Sequence, residues 1–189
     1  NQATNSQENF SSSRSELFAS WRWFEIFDSE KKVVYYNNLI FAYDNRSRRL
    51  WQYDFNRDLT AGLQRINETI SHMFLNGDKL ILINHRGANY FVKDLSSINT
   101  NATRCQPNRN STMDRILRLG QSWRHPQFTF NVDASGNLIA VGSEDRRTQA
   151  QLYKFASTGT CFESEPSNTY TINSVSTINI PTSVVGHPT

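Results

Sequence analysis

From residue 21 onward, apolar and aromatic residues run in short stretches separated by clusters of Asp, Asn, Ser and Gly. That is the pattern of β-strands joined by polar turns. It predicts strands over Trp21 to Phe27, Val33 to Tyr43 and Arg48 to Phe55. Ile70 to Leu75 and Lys79 to Asn84 follow, joined at Asn76-Gly77-Asp78, where Asn and Gly accept the positive φ of a tight hairpin. Next comes Ala88 to Leu95, with Tyr90 and Val92 facing opposite to Phe91 and Leu95. The last strands are Pro126 to Val132, Leu138 to Gly142, Gln149 to Phe155 and a Thr- and Ile-rich stretch from Asn168 to Ile180. Helical spacing is confined to two places. Leu59, Leu63 and Ile66 suit a turn or two of helix or a loop with buried anchors; Met113, Ile116 and Leu117 suit a short helix over Thr112 to Leu119, stopped at Gly120. Residues 1–20 are polar, Ser-rich and aperiodic, a flexible segment ahead of a single domain over 21–189. The sum is an all-β chain of roughly ten antiparallel strands with one or two short helices.

Composition adds compartment. Aromatic residues make up 12% of the 189, yet mean hydropathy is −0.61, so apolar residues are concentrated in strands and the loops are strongly polar. No apolar run approaches the ~20 residues of a membrane-crossing helix. The chain begins Asn-Gln-Ala-Thr without Met or a leader, which reads as a mature, processed chain or a trimmed one. Cys105 and Cys161 are far apart in polar loop sequence. Paired, they would close a long loop worth roughly 4 kcal/mol; unpaired, they are two loop thiols of a cytosolic protein. Sequons at Asn9, Asn45, Asn67, Asn101 and Asn110 fall in the tail, turns and loops and favour a secreted glycoprotein. Net charge is +3, with arginines clustered at 46, 48, 49 and at 146, 147. Acidic neighbours (Asp44, Asp54, Glu144, Asp145) make these solvated hairpin ends rather than a nucleic-acid face.

Two all-β folds compete. Leu39-Ile-Phe, Leu80-Ile-Leu and Leu138-Ile-Ala each precede a polar turn and an aromatic strand, as in β-propeller blades, but their spacing of 41 and then 58 residues is irregular. The other reading rests on resemblance. The stretch from Phe24 to Leu50, the paired strands from Lys79 to Leu95, the segment Leu152 to Pro166 around Cys161 and the proline-bearing exit from Ser176 to Thr189 together resemble ependymin-related proteins. That family has more cysteines, and Tyr90 stands about where one is expected, which leaves the pairing of Cys105 with Cys161 open.

The resemblance implies two stacked antiparallel sheets in a half-barrel around an apolar pocket. It also implies a secreted or lysosomal glycoprotein, dimeric with itself or a related chain. The implied ligand is a hydrophobic small molecule such as a lipid or carotenoid, with no catalysis. Pocket candidates are Trp51, Tyr53, Phe55, Phe91, Phe128, Phe130, Tyr153 and Phe155, which a sheet face uses equally well as core. Tyr35, Tyr36, His72 and Asn84 are candidate polar anchors. Calcium enters only through the family. Asp44, Asp54, Asp78, Asp133 and Asp145 sit in or beside turns, without the dense spacing of a calcium loop. His72, His85, His125 and His187 are scattered, with no nucleophile elbow, metal-binding His pair or phosphate loop, so no catalytic or metal residue is named. A surface-acting adhesion or signalling module is the competing function.

Overall fold

The computed structural model describes residues 8–12, 32–97, 100–120, 128–145 and 147–173. The predicted strand at Trp21 to Phe27 and the end of the last strand lie outside these residues.

The first sheet holds β1 (Glu8–Ser12), β2 (Val33–Tyr36), β3 (Leu39–Asp44), β4 (Arg49–Asp54) and β5 (Leu59–Arg65), ordered β1-β5-β4-β3-β2. The middle sheet is β6 (His72–Asn76), β7 (Lys79–Asn84), β8 (Asn89–Asp94) and β9 (Thr103–Cys105) in sequence order. The third is β10 (Thr129–Val132), β11 (Leu138–Gly142), β12 (Gln151–Phe155) and β13 (Asn168–Thr171), also in sequence order. Among the described residues one helix, α1 (Thr112–Leu119), lies between the middle and third sheets in the sequence. Every pairing is antiparallel. The all-β class holds, but the sheets number three, not the two of a half-barrel.

The reason lies in the run Leu80-Ile81-Leu82-Ile83. A sheet covered on one face needs alternation, whereas this run is apolar at every position and buried at every position. Leu80, Leu82 and Phe91 pack with Phe41, Tyr43, Leu50, Leu63 and Ile70 of the first sheet and its exit. Ile81, Ile83, Tyr90 and Val92 pack with Phe130, Leu138, Ala140, Tyr153 and Phe155 of the third, with α1 contributing Met113, Ile116 and Leu117. The middle sheet is therefore covered on both faces. The sheets approach one another most closely along their first strands, β2 against β6 and β6 against β10. With β1 set aside, each sheet is a four-stranded meander, called a blade below, whose first strand is β2, β6 or β10.

Four stretches depart locally from the predicted elements. Asn37 and Asn38, both at positive φ (50° and 64°), form a tight turn that splits the stretch 33–43 into the hairpin β2–β3. Residues 59–65 are strand, not helix, because Leu59, Ala61 and Leu63 also satisfy a period of two once β4 pairs alongside; a bulge opposite Leu50 and Trp51 then resets the register. Glu8–Ser12, expected to be flexible, adds to the edge of β5 through main-chain pairing that demands no apolar side chains. The short β9 likewise emerges inside the predicted loop around Cys105. The helix at 112–119 stands as predicted: Ser111 caps it, its hydroxyl accepting from the Asp114 N–H at 3.2 Å, and Gly120 ends it.

Candidate functional site

The predicted aromatics divide among three places. Phe91 is core between the first and middle sheets. Phe128, Phe130, Tyr153 and Phe155 are core between the middle and third, with Phe128 and Tyr153 ring centroids 5.9 Å apart and Tyr153 and Phe155 6.3 Å apart. Trp51 and Tyr53 lie on the face of the first sheet turned away from the middle one. There the fully buried Tyr53 meets Phe55 edge-on at 4.8 Å and donates to Asp58 Oδ1 at 2.7 Å. Phe55 itself is 41% exposed at a turn. Phe91, Phe128, Phe130, Tyr153 and Phe155 thus pack between sheets, and Phe128 also borders the cavity at the first-strand ends. Of the polar anchors, Asn84 is buried in an inter-blade network and Tyr35 is at the opposite end of β2; only His72 reaches a cavity wall.

That cavity, about 530 Å³, lies where the first strands of all three sheets begin. Its walls come from Lys32 before β2, residues 69–72 leading into β6, and Phe128 and Thr129 at the start of β10. The turns joining second to third strands add Asn45 and His85, and Gly120 closes the end of α1.

Asn45 and His85 are equivalent. The ladder from Leu39↔Asp54 to Asp44↔Arg49 repeats 40 residues later from Lys79↔Asp94 to Asn84↔Asn89, and Arg48 and Ala88 share a positive φ (61° and 51°). Each holds the segment that leads to the next sheet. Asn45 Nδ2 donates to the Ile70 carbonyl at 2.8 Å and its Oδ1 accepts from the Ile70 N–H at 2.9 Å. His85 Nδ1 lies 3.0 Å from the Leu117 carbonyl. A carbonyl only accepts, so Nδ1 carries a hydrogen. Ser71 Oγ donates to the Ile83 carbonyl at 3.1 Å, fixing the third wall.

Among the described lining residues, Lys32, His72 and His85 are titratable and none is a carboxylate. Glu68, next to the lining residue Thr69, receives Asn84 and Asn89 at 2.8 Å each and Arg104 Nε at 3.0 Å. Burial opposes its ionisation, but those hydrogen bonds prevail and its pKa is lowered. The cleft is thus a basic, hydrogen-bonding recess with one aromatic edge, suited to an anionic or acceptor-rich group. Among the described residues no three His, Cys, Asp or Glu side chains are grouped to hold a metal. A second cavity of about 550 Å³ borders Gln106, Pro107, Arg109, Asn110, Asp114 and Arg118, but Asp114 is already engaged by Arg118 Nε at 3.1 Å and the Asn110 N–H at 3.1 Å.

A disulfide joins Cys105, at the end of β9, to Cys161, beyond β12, and so ties the middle sheet to the third. Among the sequons, Asn67, Asn101 and Asn110 are exposed, whereas the Asn45 amide is spent on Ile70. No described helix is long and apolar enough to cross a membrane.

Sequence reasoning named His72 and Phe128 as ligand contacts and did not name Lys32, Asn45, Ser71, His85, Gly120 and Thr129 as such. The available signal was the 40-residue repeat, which places Asn45 and His85 at one structural position. Fold and cleft together define a class, three packed antiparallel sheets with a basic recess where the first strands converge. Comparisons with protein-family models, curated proteins and solved structures found no match to this chain, so the ependymin resemblance rests on its sequence motifs alone.

Proposed function

We propose that this chain is an extracellular, non-catalytic binding module that takes its ligand in the recess at the first-strand ends. One observation carries the reading: a cleft of about 530 Å³ is walled by all three sheets and positioned by side chains that also hold the blades together. Ligands commonly bind where structural units converge. The oxidised Cys105–Cys161 pair supports an extracellular setting. The apolar-carrier reading has less support, because its eight candidate aromatics are divided among core packing and an exposed turn.

A library of small acidic and neutral compounds, screened by amide chemical shifts, tests the proposal. Hits should move residues 69–72, Thr129 and Gly120, and His72→Ala should abolish them. Hits that perturb only other regions would overturn it. So would a stoichiometric lipid or polyene in an organic extract of the native protein, which would restore the carrier reading.

A further inference from the structure

The second cavity, of about 550 Å³, has the size of a small-molecule site and no part in the cleft. Gln106, Pro107, Arg109 and Asn110 line it ahead of α1, and Asp114 and Arg118 line it from the helix. Charge nearly cancels among these residues, because Arg118 Nε meets Asp114 Oδ1 at 3.1 Å and one guanidinium, that of Arg109, is left over. Asp114 Oδ2 accepts from the Asn110 N–H at 3.1 Å, so the chain engages both carboxylate oxygens. Gln106 Nε2 donates to the Ala88 carbonyl at 3.2 Å, which leaves Oε1 to accept, while the exposed Arg109 and Arg118 have N–H groups to donate. Pro107, buried, adds apolar surface. Donors, an acceptor and an apolar patch at near-neutral charge suit an uncharged, hydroxyl- and amide-bearing group such as an acetamido sugar.

The chain itself places the attachment point for such a sugar on the cavity wall. Asn110-Ser111-Thr112 is a sequon, and Asn110 is one of the lining residues. The Ser111 N–H donates to the Asn108 carbonyl at 3.1 Å, closing a turn in which Asn110 takes a positive φ of 64°. That backbone favours Asn or Gly and makes no use of a side-chain amide. The Asn110 side chain is exposed and enters none of the described hydrogen bonds, whereas the Asn45 amide is spent on Ile70. The hydroxyls of the sequon are consumed by the fold: Ser111 Oγ donates to the Asn108 carbonyl and Thr112 Oγ1 to Glu165 Oε1, each at 2.6 Å. The hydroxyl that an oligosaccharyl transferase reads is thus available before this turn closes and not after.

We propose that Asn110 carries an N-linked glycan whose first N-acetylglucosamine units rest in this cavity. Attachment joins Asn110 Nδ2 to the anomeric carbon of the sugar, breaks that carbon's bond to the diphosphate of a lipid-linked oligosaccharide donor, and releases one amide proton. The attached sugar is then held at high effective concentration beside the cavity, so contacts too weak to capture a free sugar suffice to seat it. The inference rests on the extracellular setting of the proposed function and not on its cleft.

The test is glycopeptide mapping of the full chain secreted from a eukaryotic host, then timed release of its glycans by an amidase that cuts the Asn–sugar bond, on native and on denatured protein. Asn110 should be occupied. Its glycan should leave the native protein about tenfold or more slowly than the denatured one, a factor equivalent to about 1.4 kcal/mol of seating. Glycans on Asn67 and Asn101 should leave the two forms at similar rates. Arg109→Ala should speed the slow release without moving the urea midpoint, and Asn110→Gly, which keeps the turn, should remove the slow glycan altogether. Release from native Asn110 as fast as from the other sites, or a slow phase indifferent to Arg109→Ala, overturns the seating. A bare Asn110 beside occupied Asn67 or Asn101 overturns the inference and leaves the extracellular setting standing. If every sequon is bare, both fall.

Discussion

Gly120→Ala is the sharpest test of how the cleft wall is built. Gly120 has φ −64° and ψ −16°, a helical conformation that alanine adopts more readily than glycine. With open space beside it, the substitution would stabilise by about 0.5 to 1 kcal/mol. Space is what is missing: a Cβ built on Gly120 falls into the imidazole of His85, against Nδ1, Cε1 and Cγ. The ring cannot yield cheaply. It is only 9% exposed, its Nδ1 is held by the Leu117 carbonyl at 3.0 Å, and its centroid is 5.9 Å from that of Phe130. Displacing it costs the hydrogen bond, about 1 kcal/mol, and overpacking of about 1 to 3 kcal/mol. The net expectation is destabilisation by about 2 to 3 kcal/mol, read as a lower urea midpoint at unchanged slope. His85→Ala removes the obstacle, so in that background Gly120→Ala should turn stabilising, with a coupling of about 3 kcal/mol in the double-mutant cycle. A neutral or stabilising Gly120→Ala in the parent chain, or additivity of the two, refutes the packing of α1 on the 85–88 turn.

Other consequences are as direct. Replacing both cysteines by serine should lower unfolding free energy by about 4 kcal/mol, as expected for a loop closed across 56 residues, and reductant should reproduce the loss in the parent chain but not in the variant. Glu68 contributes through a lowered pKa, so its stabilisation is full above the unfolded value near 4.5 and disappears as pH falls through the folded one; Glu68→Gln should flatten that acid limb in denaturant unfolding measured from pH 6 downward. Tyr90 and Tyr153, pushed up to about 12 chiefly by burial, should form phenolate only near that pH in an ultraviolet titration, and earlier ionisation would contradict their packing. If the chain is expressed through a eukaryotic secretory pathway, glycopeptide mapping should find Asn67, Asn101 and Asn110 open to occupancy and Asn45 bare, because a glycan there requires giving up both bonds to Ile70.

Strands with strong local signals were legible in the sequence: the hairpin at Gly77, the opposed faces of β8 and the capped helix at 112–119. What was not legible depended on partners. Leu59 and Leu63 are four apart, a spacing compatible with helix and with strand, and only pairing with β4 decides between them. Asn37-Asn38 carries a turn signal inside an apolar run that by itself reads as one continuous strand. The largest revision concerned the number of layers. Leu80 to Ile83 is apolar on both faces, which demands a covered middle sheet, and a two-sheet half-barrel has no such place for it. The blade repeat was visible at three Leu-Ile motifs, but the insertion carrying β9's approach, Cys105 and α1 stretched the second interval and hid the period.

The cleft was harder to read because its residues serve the fold first. In a stack of meanders each chain crossing enters the next blade at the end where first strands converge, and that crossing leaves backbone groups that need partners. The turn of the preceding blade supplies them from one fixed position, Asn45 for Ile70 and His85 for Leu117. An amide and an imidazole share no sequence pattern, yet both can meet the same requirement, which is a polar side chain able to reach a carbonyl. Because the crossing wraps the ends of the inner strands, the side chains that hold it also wall the recess. The recess is therefore as rigid as the blade contacts themselves, and a ligand seated there meets groups whose ordering was completed in folding. On the proposed function, stability and binding are coupled at Asn45, His85 and Gly120 but separable at His72, and this is the reason the cleft test substitutes His72.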